Sequence, residues 1–403
     1  MGSELPKPQL GLVLTGGGAR AAYQVGVLQY ISDYIPQAGF SILIGVSAGA
    51  INAAHLANHP GRYRDATSRL LSNWREIRSE HVFEMESLLN LFRSFLSRTL
   101  RGDGTRENMR SLHAFADTAP LRGHLEEMLD TEDGRLVGIS RNLASGKLRA
   151  IAILTTNYTT GQTISWVQGD SILGWERPNR VGVHTRLTVD HIMASTSLPF
   201  LFPAVQIGDH WYGDGGIRLA APLAPAIHLG ADRIMAISTR YSRSRAEADQ
   251  PVIEGYPPAS QIFGLLTNAV FLDALDDDAV ILERINRLVE RLPRKSRMGL
   301  RPVELLLLRP SVDLGKLASE YEYSLPGTLE AISRLLGTGE TRSPDWLSML
   351  LFEHDYVNRL IDIGYEDARR QHEKIVSFFN PEKHLMPAVR LADKIRRHTT
   401  GDS

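Results

Sequence analysis

The chain has 403 residues, 43% of them apolar and 23% charged, with a formal net charge of −1. This composition is ordinary for a globular protein of one or two domains, and it provides no global field toward nucleic acid or an anionic membrane. The chain has no cysteine, which excludes disulfides, thiolate catalysis and Cys-ligated zinc.

No apolar run reaches the roughly 18 residues of a spanning helix. The opening residues MGSELPKPQL lack the apolar stretch of a secretory signal. The expected location is therefore cytoplasmic, with at most a peripheral association with a membrane.

In chain order, residues 10–15 (LGLVLT) read as a short strand running into Gly16, Gly17 and Gly18. Residues 19–35 read as a helix, with Ala22, Val25, Leu28 and Ile31 near a 3.6 period and Pro36 after it. Residues 41–55 (SILIGVSAGAINAAH) combine a second strand, the turn Gly45-Val46-Ser47-Ala48-Gly49 and a helix of small residues. Strand, glycine-rich turn, helix and strand make a βαβ unit with a right-handed crossover. Parallel strands deliver their C-terminal ends to one edge. The glycine run and Ser47 are thus expected on the same side of the sheet, on neighbouring strands.

A G-x-S-x-G on a strand-to-helix turn holds its serine in a strained backbone with the hydroxyl exposed. Gly45 and Gly49 allow neighbouring elements to approach where a Cβ would collide. The helix N-terminus beyond Ser47 favours the negative charge of an acyl-transfer transition state.

Residues 61–130 read as mostly helical. Within them, 86–100 (ESLLNLFRSFLSRTL) is amphipathic, and its apolar part at 88–100 fits a core-facing helix or a mobile lid touching a membrane. Residues 149–157 and 162–167 read as two strands joined by a Thr-Thr-Gly turn. A helix is expected at 189–194, short strands around a Gly-Asp turn at 203–211, a helix at 222–229 and a buried strand at 233–238. A long polar loop at 240–258 leads to helices at 260–292, a last strand at 303–308 (VELLLL), and helices beyond. Asp276-Asp277-Asp278 lacks the alternating spacing of a calcium loop and reads as a charged helix face.

A serine nucleophile needs a base and donors for the oxyanion. Gly16, Gly17 and Gly18 supply backbone N–H groups. The competing reading is a nucleotide phosphate loop, but GGGARA lacks the third glycine of G-x-G-x-x-G and the G-K-[ST] ending of a P-loop. Asp214, between glycines in YGDGG, is either an approach point for a base or a plain turn. His55 lies too far along the helix from Ser47, about 12 Å. His184, His191, His210 and His228 remain candidates.

Four segments carry a resemblance: 11–28 (GLVLTGGGARAAYQVGVL), 44–53 (IGVSAGAINA), 194–205 (ASTSLPFLFPAV) and 214–216 (DGG). In this order and spacing the chain resembles the patatin-like phospholipase family across roughly residues 10–238. The resemblance implies an α/β fold of three layers, α/β/α, with a mostly parallel central sheet. It implies a patatin-like catalytic domain at 8–310 and a helical C-terminal extension at 311–403, packed on or near it.

The same resemblance implies a lipid acyl hydrolase with Ser47 as nucleophile and Asp214 as base in a dyad without histidine. Gly16, Gly17 and Gly18 would form the oxyanion hole with Arg20 beside them, and Gly45 and Gly49 the nucleophile elbow. It implies no metal or organic cofactor. The expected partner is a lipid or phospholipid substrate, with peripheral membrane contact and no nucleic acid. Two departures touch loop geometry only: Ala21 stands where the family usually has glycine, and Ala221-Pro222 where it often has Asn-Pro. The alternatives are an α/β-hydrolase with a Ser-His-Asp triad and a silent lipid-binding scaffold.

Overall fold

The computed structural model describes residues 8–84, 117–169, 174–199, 201–249, 274–321 and 345–380, with five positions between 262 and 268. The segment 88–100 lies outside the described residues. The chain opens with β1 (Leu10–Leu14), a one-turn 3-10 helix (Gly18–Ala21), α1 (Ala22–Tyr34), β2 (Ile42–Val46) and α2 (Ala48–Asn58). Helices α3 (Tyr63–Glu76), α4 (Ala119–Met128) and α5 (Val137–Ala144) lead to β3 (Ala150–Asn157) and β4 (Thr163–Gly169). A small hairpin, β5 (Glu176–Arg177) and β6 (Arg180–His184), precedes α6 (Val189–Thr196), β7 (Val205–Ile207) and β8 (His210–Asp214). Then come α7 (Ala224–His228), β9 (Arg233–Ile237), α8 (Arg245–Ala248), α9 (Ala274–Arg291) and β10 (Glu304–Leu308). The described chain ends with α10 (Leu314–Ser319), α11 (Asp345–Leu350), α12 (His354–Arg370) and α13 (His372–Phe379).

The sheet runs β10-β9-β1-β2-β3-β4-β6-β5, with β8 also on β3 and β7 on β8. Every pair from β10 to β3 is parallel, and β4 returns antiparallel. The hairpin of β5 and β6 was not expected, although β6 (RVGVH) alternates Val181 and Val183, which pack against the first core, with Arg180, Gly182 and His184; β5 is only two exposed residues.

The period of two along each strand separates two cores. Leu12, Leu43, Ile151, Ile153 and Met235 face one, and Val13, Ile44, Ala152, Leu154 and Ile234 face the other. Helices α1, α2, α3 and α12 fill the first, while α7 and α9 cover the second. The sheet is thus sandwiched between two helical layers.

The C-terminal helices enter the larger core. Helix α12 buries Tyr356, Val357, Leu360 and Ile361, and it crosses α1 at backbone distance. A Cβ on Gly26 would stand 1.9 Å from the Ile361 carbonyl oxygen, and one on Gly364 would stand 2.0 Å from that of Tyr23. Only glycine permits that crossing.

Candidate active site

The register of β3 assembles the site. Strand β2 ends with Val46 opposite Leu154. Strand β8 comes in from the other direction and pairs with the next stretch of β3, setting Asp214 opposite Thr155. Ser47, one step beyond Val46, therefore arrives at the level of Asp214. The glycine loop follows β1, parallel to and beside β2, so it reaches the same edge, as expected from the βαβ unit.

Ser47 is buried and adopts φ 53°, ψ −133°, a strained conformation for a residue with a Cβ. Its backbone N–H donates to Ser195 Oγ at 2.9 Å, and Ser195 Oγ donates to the Leu154 carbonyl at 2.7 Å. One hydroxyl thereby links the elbow to the central strand and holds the strain. Gly49, two residues along, lies against β1: a Cβ there would stand 2.3 Å from the Leu14 carbonyl oxygen. Gly45 closes the elbow from the strand side, in contact with Ala50 and Ala53 of α2.

Asp214 has no exposed surface. Its Oδ1 accepts from the Gly216 N–H at 2.8 Å, while Oδ2 has no hydrogen-bond partner among the described residues. Burial pushes the carboxyl up to about 7, and the neighbouring Ser47 hydroxyl and the Gly216 N–H oppose that rise. The Ser47 hydroxyl is thus close enough to act on the carboxyl, yet the two stop short of a formed hydrogen bond. Free sites often hold such contacts loose.

The glycine loop touches the serine turn, since a Cβ on Gly16 would meet the Ser47 Cβ at 2.9 Å. Thr239 Oγ1 donates to the Gly16 carbonyl at 2.6 Å. In a trans peptide the following N–H points the opposite way, so this bond turns the Gly17 amide away from Thr239. Among the described residues, no hydrogen-bond acceptor takes the amides of Gly16, Gly17 or Gly18. Gly18 has φ 55°, and its Cα packs on the Met349 carbonyl, 2.0 Å from where a Cβ would be. Arg20 lies in this loop, but its Nε donates to Ser348 Oγ of α11 at 2.6 Å, with both side chains buried.

An apolar pocket opens at Ser47, walled by Ile51, Trp74, Ile77, Leu198, Phe202 and, from the C-terminal segment, Phe352. Its free volume is about 30 Å³, room for a water rather than a chain of methylenes.

None of the candidate histidines hydrogen-bonds to Ser47 or Asp214 in the described structure. His191 is held down to about 4 by burial, caps α6 through Thr188 and packs edge-on against Trp166. His210 begins the strand that Asp214 ends, His228 stacks on Trp175, and His184 is the exposed end of β6. His55 is likewise held down to about 4 by burial, with its Nε2 on the Ala66 carbonyl. Among the described residues no group of His, Asp or Glu could hold a metal ion. Asp276, read as a helix face, instead pairs with Arg240 and Arg309 across elements.

Ser195, Leu198 and Phe202 lie in the 194–205 segment that carries the resemblance, but no sequence pattern marks a role for them, and none marks Thr239 or Phe352. Their only signal is spatial.

A family profile described as patatin-like phospholipase matches residues 12–227. No curated protein sequence matches the chain. Among solved structures, human GIVD cytosolic phospholipase A2 is similar at 15% identity and a TM-score of 0.47, covering 92% of this chain and 60% of that one. VipD from Legionella pneumophila is similar at 13% identity and a TM-score of 0.35, covering 92% of this chain and 67% of that one. This chain thus spans 60% of the length of the human structure.

Proposed function

The chain belongs to the patatin-like phospholipase family, and from that premise we propose that it hydrolyses carboxylic esters of lipids through a Ser47–Asp214 dyad. The observation that carries this reading is the Asp214 carboxyl, fully buried beside Ser47, with one oxygen fixed by Gly216 and the other unpartnered. Among the described residues no histidine hydrogen-bonds to either group.

In the proposed reaction Asp214 Oδ2 takes the proton of Ser47 as Oγ attacks the ester carbonyl carbon. The carbonyl oxygen becomes an oxyanion and accepts from the unpartnered amides of the glycine loop. Collapse of the intermediate breaks the ester C–O bond, and Asp214 returns its proton to the leaving alcohol. A water, deprotonated by the same carboxylate, then attacks the acyl-serine, and as the acyl C–Oγ bond breaks Asp214 returns that proton to Ser47 Oγ and the fatty acid is released. A carboxyl with its value raised to about 7 serves both steps: it is basic enough to take a proton and acidic enough to return it. The apolar walls around Ser47 suit an acyl chain, which needs the pocket to widen from its present volume. Arg20, bonded to Ser348, positions α11 against the loop.

The test is hydrolysis of a phospholipid and lysophospholipid panel, with covalent labelling by an alkyl fluorophosphonate. Ser47→Ala is expected to lose both turnover and labelling while its Tm stays within a few degrees of wild type. Labelling that persists on another serine overturns the assignment. A folded His191→Gln or His210→Gln variant as inactive as Ser47→Ala returns the chain to a triad.

A further inference from the structure

The outer face of α9 and the turn after it carry exposed apolar side chains that join neither core among the described residues. Ile281, Ile285, Leu288 and Leu292 follow one another at spacings of four, three and four, which keeps them in one stripe on a helix. All four are exposed, beside a separate buried stripe of Leu275, Leu282 and Val289, of which Leu275 and Leu282 join the second core. The turn beyond continues the patch. Met298 stands 89% exposed at its apex in a left-handed conformation, and Leu300 is 52% exposed. With Val280 these make seven of the fourteen exposed large apolar residues among the described ones, all within 280–300. Scattered exposed apolar residues need no explanation, whereas a contiguous patch does.

The charge around the patch identifies its partner. The whole chain is near neutral, yet residues 284–301 carry seven cations, from Arg284 to Arg301, and one acid, Glu290. Arg287 pairs with Glu283, and Arg301 with Asp232. Arg284 and Arg291 border the apolar stripe, and Arg294 and Lys295 stand exposed beside the Met298 turn. An apolar stripe edged by arginine and lysine is the composition of an element that lies in a membrane interface, where the apolar side chains enter and the cations meet anionic headgroups. We infer that residues 281–300 are a docking surface for an anionic lipid bilayer.

The surface lies on the sheet face opposite the pocket at Ser47, since α9 covers the second core and the pocket belongs to the first. The Met298 turn sits where the parallel strands begin, Arg301 being paired to Asp232 just before β9. Docking there tethers the protein while leaving the pocket mouth uncovered, so it is independent of the proposed catalysis.

The experiment is co-sedimentation of the full chain with phosphatidylcholine vesicles, with and without phosphatidylglycerol. Wild type is expected to bind the phosphatidylglycerol vesicles, to ignore the neutral ones, and to release as salt rises. Leu288→Asp with Met298→Asp, both at exposed positions, should keep the wild-type Tm, keep turnover of a soluble short-chain ester, and lose about tenfold or more in vesicle partitioning. Arg294→Glu with Lys295→Glu should do the same. Ser47→Ala should bind vesicles as wild type does, which separates this surface from the proposed active site. No binding by wild type, or unchanged binding by the apolar double variant, overturns the inference. A wild-type dimer that Leu288→Asp dissociates, with no vesicle binding, assigns the patch to a second copy of the chain instead.

Discussion

Burial as deep as that of Asp214 disfavours its charged form, and this has two measurable consequences. The proposed base is the ionised carboxylate, so kcat/KM should rise with pH through about 7 and be lost as pH falls below it. Stability runs the other way. The folded value lies above the ordinary 3.8, so folding keeps a proton that the unfolded chain gives up. The favourable contribution is complete below about pH 4, fades as pH rises, and is gone above about 7. Asp214→Asn cannot ionise. It should therefore lose nearly all turnover yet melt higher than wild type at pH 8, with the gain shrinking as the pH is lowered toward 5. Scanning calorimetry at the two pH values reads this directly, and a lower Tm at pH 8 would contradict it. Ser195→Ala tests the support of the elbow. It strands the buried Ser47 N–H, a cost of about 1–3 kcal/mol. Turnover should fall with KM little changed, because the hydroxyl touches the Ser47 backbone and not the pocket wall. Ser47 and Asp214 stood out in the sequence because each sits in a glycine-flanked turn. Ser195 and Thr239 did not, since a lone serine or threonine is common and its bond crosses the fold.

Helix α11 and the residues after it decide how the site is closed. Met349 packs on Gly18, Ser348 accepts from Arg20, and Phe352 walls the pocket at Ser47. Gly18→Ala would place a methyl on the Met349 carbonyl and a Cβ at φ 55°, a strain of about 1–3 kcal/mol before any clash. It should lower the Tm and reduce turnover together, as the loop and α11 move apart. Phe352→Ala removes a buried ring from the pocket wall, at a stability cost of about 3–5 kcal/mol if the site does not collapse. In the variant that remains folded, preference should shift toward longer or bulkier acyl chains, read from kcat/KM across an ester series. An unchanged chain-length profile would place the acyl chain elsewhere. The strands of the parallel core and α1 were legible from their periodicity, and so was the helical character of the described C-terminal residues. The destination of α11 was not, because a short amphipathic helix can cover any apolar surface of matching size.

At the scale of the whole molecule, we propose that the extension from 311 does not fold apart from the domain it packs on. Helix α12 lies on α1 through the paired glycines, Gly26 against Ile361 and Gly364 against Tyr23, and Tyr23, Val27, Tyr356 and Leu360 are buried in the same core. A chain ending at 310 would expose that face, so it should be insoluble or lack a cooperative melt. A soluble, sharply melting 8–310 fragment, followed by near-UV circular dichroism, would show that the extension is separable. By itself the sequence determined much of what is settled within a few neighbouring residues, though not the hairpin of β5 and β6. The βαβ unit, the serine turn with its small-residue helix, and the arrival of Gly16, Gly17, Gly18 and Ser47 at one sheet edge all follow from local periodicity and from the handedness of the crossover. The tertiary structure alone decided that β8 meets β3 where β2 leaves off, which sets Asp214 against Ser47 and buries it. It alone decided that the C-terminal segment closes the pocket. The physical reason is that register and closure come from contacts between segments far apart in the chain, made by glycine, serine and leucine side chains too common to name their partners in advance.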